Sequence, residues 1–181
     1  CFMPLCYGGG IGEIDDIKKL VALGFEKIAL NTKAARNPDL ISQAANYTGS
    51  QSVVVSIDAN KTVWGKYRVY IRGGSRRLPL DPVDMALQAE RAGAGEILIN
   101  SIGRDGSGNG YDLDLIRMIT SAVRIPVIAC GGAGKIEDLA AAIKIAGASA
   151  VAAGSLFIFQ GVHRAVLISY ITNDQLQPYL E

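Results

Sequence analysis

The chain has 181 residues, 49% hydrophobic and 19% charged, and its 18 basic and 17 acidic side chains leave a net charge of +1. This composition excludes a disordered chain, and the balanced charge gives no electrostatic case for nucleic acid. No apolar run reaches the ~18 residues of a membrane span, and the length fits one globular domain or part of a larger one.

Residues 1–6 read as the inside of an element, which leads to the expectation that more chain precedes them, and nothing there has the pattern of a signal peptide. A first strand is predicted over 2–7 and closes on Gly8-Gly9-Gly10. Apolar Ile14, Ile17, Leu20 and Val21 at helical spacing predict a helix over 13–23, stopped by Gly24. A strand over 27–32, a helix over 38–47 and a strand over 52–58 follow, the last nearly all apolar, as expected when both faces are covered. Residues 61–72 break the rhythm and predict an inserted hairpin, in which Trp64, Tyr67 and Tyr70 are expected to pack together. The pattern resumes with a helix over 82–92, a strand over 96–101, a helix over 113–123, a strand over 126–130, a helix over 136–145 and a strand over 149–153. A short segment at 156–159 and a helix from about Asn173 complete the chain.

Six strands alternating with helices predict a parallel α/β sheet, either doubly wound or part of a (β/α)₈ barrel. A barrel needs about 250 residues. Two further βα units of roughly 30 residues each would supply most of the difference. Cys1, Cys6 and Cys130 are odd in number and lack metal-ligand spacing. They read as small buried residues of a reducing, cytoplasmic compartment, and neither a metal nor a cofactor is expected.

The strongest signal is an internal repeat. Residues 4–16 align with 126–138, about 122 residues apart. Gly24 then aligns with Gly147, and Asn31-Thr32 with Gly154-Ser155. Each copy reads strand, glycine turn, helix, glycine, strand, small polar pair. Glycines after a strand let backbone N–H groups approach an anion, and the following helix start adds partial positive charge. A lone glycine pair after a strand is more often only a tight turn. The same cassette occurring twice points to a ligand with a phosphate at each end.

Asp58 closes the most apolar strand, where a carboxylate faces a barrel mouth and can serve as general acid or base; the alternative is a helix cap or Asx-turn. Residues 103–112 form a glycine-rich loop, either a flexible connector in which Asp112 caps the next helix or a flap over one phosphate. Lys27 and Glu96 start their strands and so face the opposite end, where a structural salt bridge is the ordinary expectation. His163, near the tail, is a poor candidate for catalysis.

A set of motifs goes further: Leu5-Cys6-Tyr7-Gly8-Gly9-Gly10-Ile11, Ile28-Ala29-Leu30-Asn31-Thr32, Val55-Ser56-Ile57-Asp58-Ala59, Gly93-Ala94-Gly95-Glu96-Ile97-Leu98, Arg104-Asp105-Gly106, Gly110-Tyr111-Asp112-Leu113 and Ile128-Ala129-Cys130-Gly131-Gly132-Ala133-Gly134. Together they resemble the HisF family, the cyclase subunits of imidazole glycerol phosphate synthase. The resemblance runs from Pro4 to about Phe159 and covers the last six βα units of that barrel. Residues 1–181 are therefore expected to form one partial, phosphate-binding (β/α)₈ TIM-type barrel domain with the first two units absent.

The resemblance implies the rest. A HisH-like glutaminase would dock on the N-terminal barrel face and release ammonia. The ammonia would cross the barrel and attack a ribulosyl aminoimidazole carboxamide bisphosphate, giving imidazole glycerol phosphate for histidine biosynthesis. Asp58 corresponds to one of two catalytic aspartates, the other belonging to the family's first strand. Gly10, Asn31 and Thr32 correspond to one phosphate site. Asp105, Gly106, Gly132, Gly154 and Ser155 correspond to the other, with Cys130 and Gly131 beside it. Lys27 and Glu96 correspond to a charged ring guarding the ammonia entrance. The chain departs from the family at Gly103, usually Asp, at Tyr7, usually Val, and at Cys130, usually Ser. Residues 154–170 resemble a paralogue group that relays ammonia to a sugar amidotransferase in surface-polysaccharide synthesis. A non-catalytic phosphate-binding scaffold is the third possibility.

Overall fold

The computed structural model describes residues 4–161 and 165–180. The expectations for Cys1, for the start of the first strand and for His163 lie outside the described residues. In chain order the elements are β1 (Cys6–Gly8), α1 (Ile14–Ala22), β2 (Lys27–Leu30), α2 (Thr32–Arg36), α3 (Asp39–Thr48), a 3₁₀ turn (Ser50–Ser52), β3 (Val53–Lys61), β4 (Tyr67–Ile71), β5 (Arg76–Arg77), α4 (Pro82–Arg91), β6 (Glu96–Ser101), α5 (Leu113–Thr120), β7 (Val127–Cys130), α6 (Ile136–Lys144), β8 (Ala150–Val151), α7 (Ser155–Ile158), β9 (Phe159–Gln160), β10 (Ala165–Val166) and α8 (Asn173–Leu180).

The parallel strands pair in the order β1-β2-β3-β6-β7-β8. They are laid down in one direction with no reversal, whereas a doubly wound sheet reverses at a switch point. The sheet is therefore a barrel wall curled over about six of its staves, which decides between the two topologies.

Alternation along each strand sorts the side chains. Ile28 and Leu30, Val53, Val55 and Ile57, Ile97 and Ile99, and Val127 and Ala129 are buried. In the same core lie Ile17 of α1, Ile41 and Ala44 of α3, Met85 and Ala86 of α4, Leu115 and Ile119 of α5, and Leu139 and Ala142 of α6. Each fully buried aliphatic side chain contributes about 1.5–3 kcal/mol, so this outer layer is what holds the wall together. The helices start on side-chain caps where the sequence provides them. Asp81 accepts from Val83 N at the start of α4, with Pro82 in the first turn, and Asp112 accepts from Leu115 N at the start of α5.

The structure corrects several expectations. β3 does not stop at Asp58 but runs on to Lys61, and its extension is the first arm of the hairpin, with Asp58 opposite Tyr70 and Lys61 opposite Tyr67. Asp58 is thus a mid-strand residue rather than a cap. Trp64 does not pack with Tyr67: it is 87% exposed at the hairpin tip, beside Val63 at 96%, whereas Tyr67 is buried. The tip residues lie past the end of the ladder, where no core is within reach. Cys6 is exposed rather than buried, on a β1 that pairs with β2 alone among the described residues, and Cys130 is half-buried. Helix α2 was not anticipated, since five residues are too few to carry a hydrophobic period.

Candidate functional site

All six strands are parallel, so the turns after β1 and β7 emerge on the same rim. The two cassettes superpose in their backbone angles. Both glycines of each turn have positive φ: 114° at Gly9 and 87° at its counterpart Gly131, 71° at Gly10 and 114° at its counterpart Gly132. Glu13 and Lys135, the residues before α1 and α6, sit at φ −151°, ψ 168° and φ −153°, ψ 167°. Asp16 accepts from the N–H groups of Gly12 at 2.8 Å and Glu13 at 3.1 Å. Asp138 does the same for Gly134 at 2.9 Å and Lys135 at 3.1 Å. Each cassette then ends in a short helix, α2 or α7, which begins at its small polar pair.

The first cassette opens into a cleft of about 600 Å³ lined by Gly8–Gly12, Asn31, Thr32, Lys33, Ser56, Asp58, Arg72 and Leu98, among others. The Asn31 amide donates to Asp58 Oδ2 at 3.2 Å and to the Ser56 carbonyl at 3.1 Å. Gly10, Asn31, Thr32 and Asp58, singled out in the sequence, therefore share one cavity. Asn100, which was overlooked, donates its amide to Asp58 Oδ1 at 3.2 Å. Its own Oδ1 is buried without a hydrogen-bond partner. Strand register is the signal that would have found it: Asp58 stands opposite Asn100, and Asn100 opposite Cys130.

Burial pushes the Asp58 carboxyl above the ordinary carboxylate range; the Asn100 and Asn31 amides oppose this, and the Asp105 charge adds to it. Burial also raises the Cys130 thiol, with Asp105 and Asp58 contributing. Asp58 is thus a carboxyl held by two amides in a polar recess, with its proton affinity moved toward neutrality. That is the state a general acid–base group needs.

The second cassette is built differently. A smaller cavity of about 260 Å³ is lined, among the described residues, by Gly106, Gly108, Ala133, Gly134, Ser155, Leu156, Phe159 and Gly161. Gly106 and Ser155 meet there, but Gly131 and Gly132 are taken up by packing. A Cβ on Gly131 would lie 2.6 Å from Asn100 Oδ1, and one on Gly132 would lie 2.3 Å from the Gly110 carbonyl. Residues 103–112 are not a free connector. Gly110 N donates to the Gly132 carbonyl at 2.8 Å, and Arg104 Nη1 donates to the carbonyls of Asn109, Gly110 and Tyr111. Tyr67 Oη donates to Asp112 at 2.8 Å, and Tyr111 Oη to the Ala152 carbonyl at 2.9 Å.

Lys27 and Glu96 lie at the opposite end of the wall, on its inner face, where they form an ion pair with each other. They are remote from Asp58 along the strands, with Glu96 four positions before Asn100 on β6. Gly103, where the family usually carries Asp, sits against Asn60: a Cβ there would lie 2.5 Å from Asn60 Oδ1.

Parallel strands in chain order, helices on the outside and loop-built cavities at the C-terminal ends of the strands define a partial (β/α)₈ barrel with a candidate anion-binding mouth. A family model described as "Histidine biosynthesis protein" matches residues 1–163, and the chain belongs to that family. A Pseudomonas aeruginosa protein provisionally named imidazole glycerol phosphate synthase subunit hisF2 is 51% identical over 170 residues, which is 94% of this chain and 68% of that protein. The imidazole glycerol phosphate synthase subunit HisF of Hydrogenobaculum sp. is 44% identical over 175 residues, 97% of this chain and 69% of its own length. A Leptospira interrogans protein provisionally named as the same subunit is 44% identical over 171 residues, 94% of this chain and 67% of its own. The chain thus spans about two thirds of the length of these relatives, and the expected kinship with HisF holds. No helix among the described residues is long and apolar enough to cross a membrane.

Proposed function

We propose that the protein acts as a HisF-type cyclase subunit in histidine biosynthesis. It would take ammonia from a glutaminase partner and convert a ribulosyl aminoimidazole carboxamide bisphosphate to imidazole glycerol phosphate. One observation carries this reading: two equivalent turns lie on the same rim, after β1 and β7, with Asp58 on β3 between them. A bisphosphate laid across that rim presents its middle to a carboxyl group. Asp58, raised toward neutrality by burial, can hold a proton and give it up as ring closure and cleavage require. Gly10, Asn31 and Thr32 hold one phosphate. Asp105, Gly106, Cys130, Gly131, Gly132, Gly154 and Ser155 surround the other, several of them by shaping the turn rather than touching the ligand.

The paired Lys27 and Glu96 on the inner face supply a polar gate for ammonia, with the partner docking on that N-terminal face. The reading places the protein in the cytoplasm, in keeping with free Cys6 and Cys130. The test is turnover of the bisphosphate with an ammonium salt as nitrogen source, followed by ribotide release. Asp58→Asn is expected to lower turnover by about 10²–10⁴-fold. Undiminished turnover in that variant overturns the role of Asp58. No turnover, together with support of a sugar amidotransferase in the presence of a glutaminase, would instead identify the ammonia-relaying paralogue. Phosphate binding with neither activity would leave a scaffold.

A further inference from the structure

Residues 61–77 carry Lys61, Lys66, Arg68, Arg72, Arg76 and Arg77 and no acid, in a chain whose net charge is only +1. Most of these cations are exposed, Arg72 among them. Arg72 is set apart in three ways. It lines the same cleft as Gly8–Gly12, Asn31, Thr32 and Asp58. Its backbone N–H donates to Thr32 Oγ1 at 3.1 Å, which ties the hairpin to the first cassette. Among the described residues it is also the only one other than glycine with a positive φ, +55°. The left-handed conformation is strained for an L-residue and persists where surrounding structure fixes it.

Tyr70 stands directly opposite Asp58 on β4, which ends at Ile71; Arg72 turns off the strand there, and it and Gly73 both line the cleft. Among the described residues, the ion pairs do not include Arg72 or Lys33, the other cation lining this cleft. Among the described residues, neither Lys nor Arg lines the second cavity. Arg104, beside that turn, directs its guanidinium to three backbone carbonyls instead.

We infer that Arg72 is a phosphate-binding residue of the first cradle, so that this cradle grips its phosphate by charge as well as by backbone and hydroxyl groups. The inference rests on reading the two glycine turns as phosphate cradles.

The test is a titration of the chain with inorganic phosphate, followed by the amide resonances of Gly10 and Thr32 at one turn and of Gly106 and Ser155 at the other. Arg72→Ala is expected to weaken binding at the first turn about tenfold and leave the second unchanged, as for loss of a charge-assisted hydrogen bond. Arg72→Lys should retain most of the affinity, and Arg72→Gly, which relieves the backbone, should behave like Arg72→Ala. Unchanged affinity at the first turn in Arg72→Ala overturns the inference, as does an equal loss at both turns. Failure of phosphate to shift either set in the unsubstituted chain means that the cradle reading has failed, and this inference fails with it.

Discussion

The two cassettes share a sequence pattern and a set of backbone angles, yet they solve different problems. At the first, nothing lies within 4 Å of where a Cβ on Gly9 or Gly10 would be, and the turn opens directly into a cleft with two cations. At the second, residues 103–112 pack down on the turn, so that Gly132 and Gly134 touch the backbone of Gly110 and Gly108. One cradle is open and charged; the other is covered and neutral in its lining among the described residues. Equivalent glycines are therefore required for different reasons. Gly10 serves conformation alone, whereas its counterpart Gly132 serves conformation and close approach. The hairpin reaches both cassettes, through Arg72 N to Thr32 on one side and Tyr67 Oη to Asp112 on the other.

This contrast can be broken most directly at Gly12 and Gly134, equivalent positions neither of which has a positive φ. A Cβ at Gly134 would lie 2.1 Å from the Gly108 carbonyl oxygen, and one at Gly12 would lie 3.6 Å from a movable Asp16 side chain. Gly134→Ala is expected to cost about 3 kcal/mol or more in urea unfolding, and Gly12→Ala less than about 1 kcal/mol. Equal costs would show that the loop does not bear on the second turn. Tyr67→Phe tests the brace between hairpin and loop. It should cost about 1 kcal/mol, with faster amide exchange in residues 103–112 as its signature.

The next effect is one of sign. Asp58 has a raised pKa in the fold, so its ionised form is penalised there relative to the unfolded chain. Its contribution to stability is best at low pH and declines as pH rises from the unfolded carboxylate value through the higher folded one. Asp58→Asn is therefore expected to raise the melting temperature at pH 7 while removing activity, because the unpartnered Asn100 Oδ1 can turn to accept from the new amide. A lower melting temperature would show that the two amides outweigh burial. Asp105→Asn should shift the acid limb of a pH–rate profile downward, since Asp105 helps to raise Asp58. At the small end, Trp64→Ala should change stability by less than about 0.5 kcal/mol, because that ring is almost wholly exposed.

The long helices and most parallel strands were legible because each buries one face and so carries a period. The repeat was legible because glycine turns with shared φ requirements leave few residue choices. What escaped detection lacked a local signature. Ala59-Asn60-Lys61 continues β3 only because β4 returns to pair with it, a contact no short window records. Asn100 looked like one more residue of a strand and became a candidate only when register set it beside Asp58. The packing of residues 103–112 on Gly132 and Gly134 is likewise a tertiary fact, invisible in a loop rich in glycine. Cys6 was read from the general habit of cysteine to be buried, whereas all of β1 is exposed.

The continuation of β3 beyond Asp58 bears on timing. The residue is laced on one flank to β6 and on the other to β4, so its main chain is already immobilised before any ligand arrives. An acid borne on a loop would need to be ordered at each encounter, at an entropic cost of about 1–2 kcal/mol per residue. Here that ordering is complete when folding is complete. Ligands of slightly different span would be accommodated by the turns at either end, while the reacting centre meets a carboxyl group that does not shift.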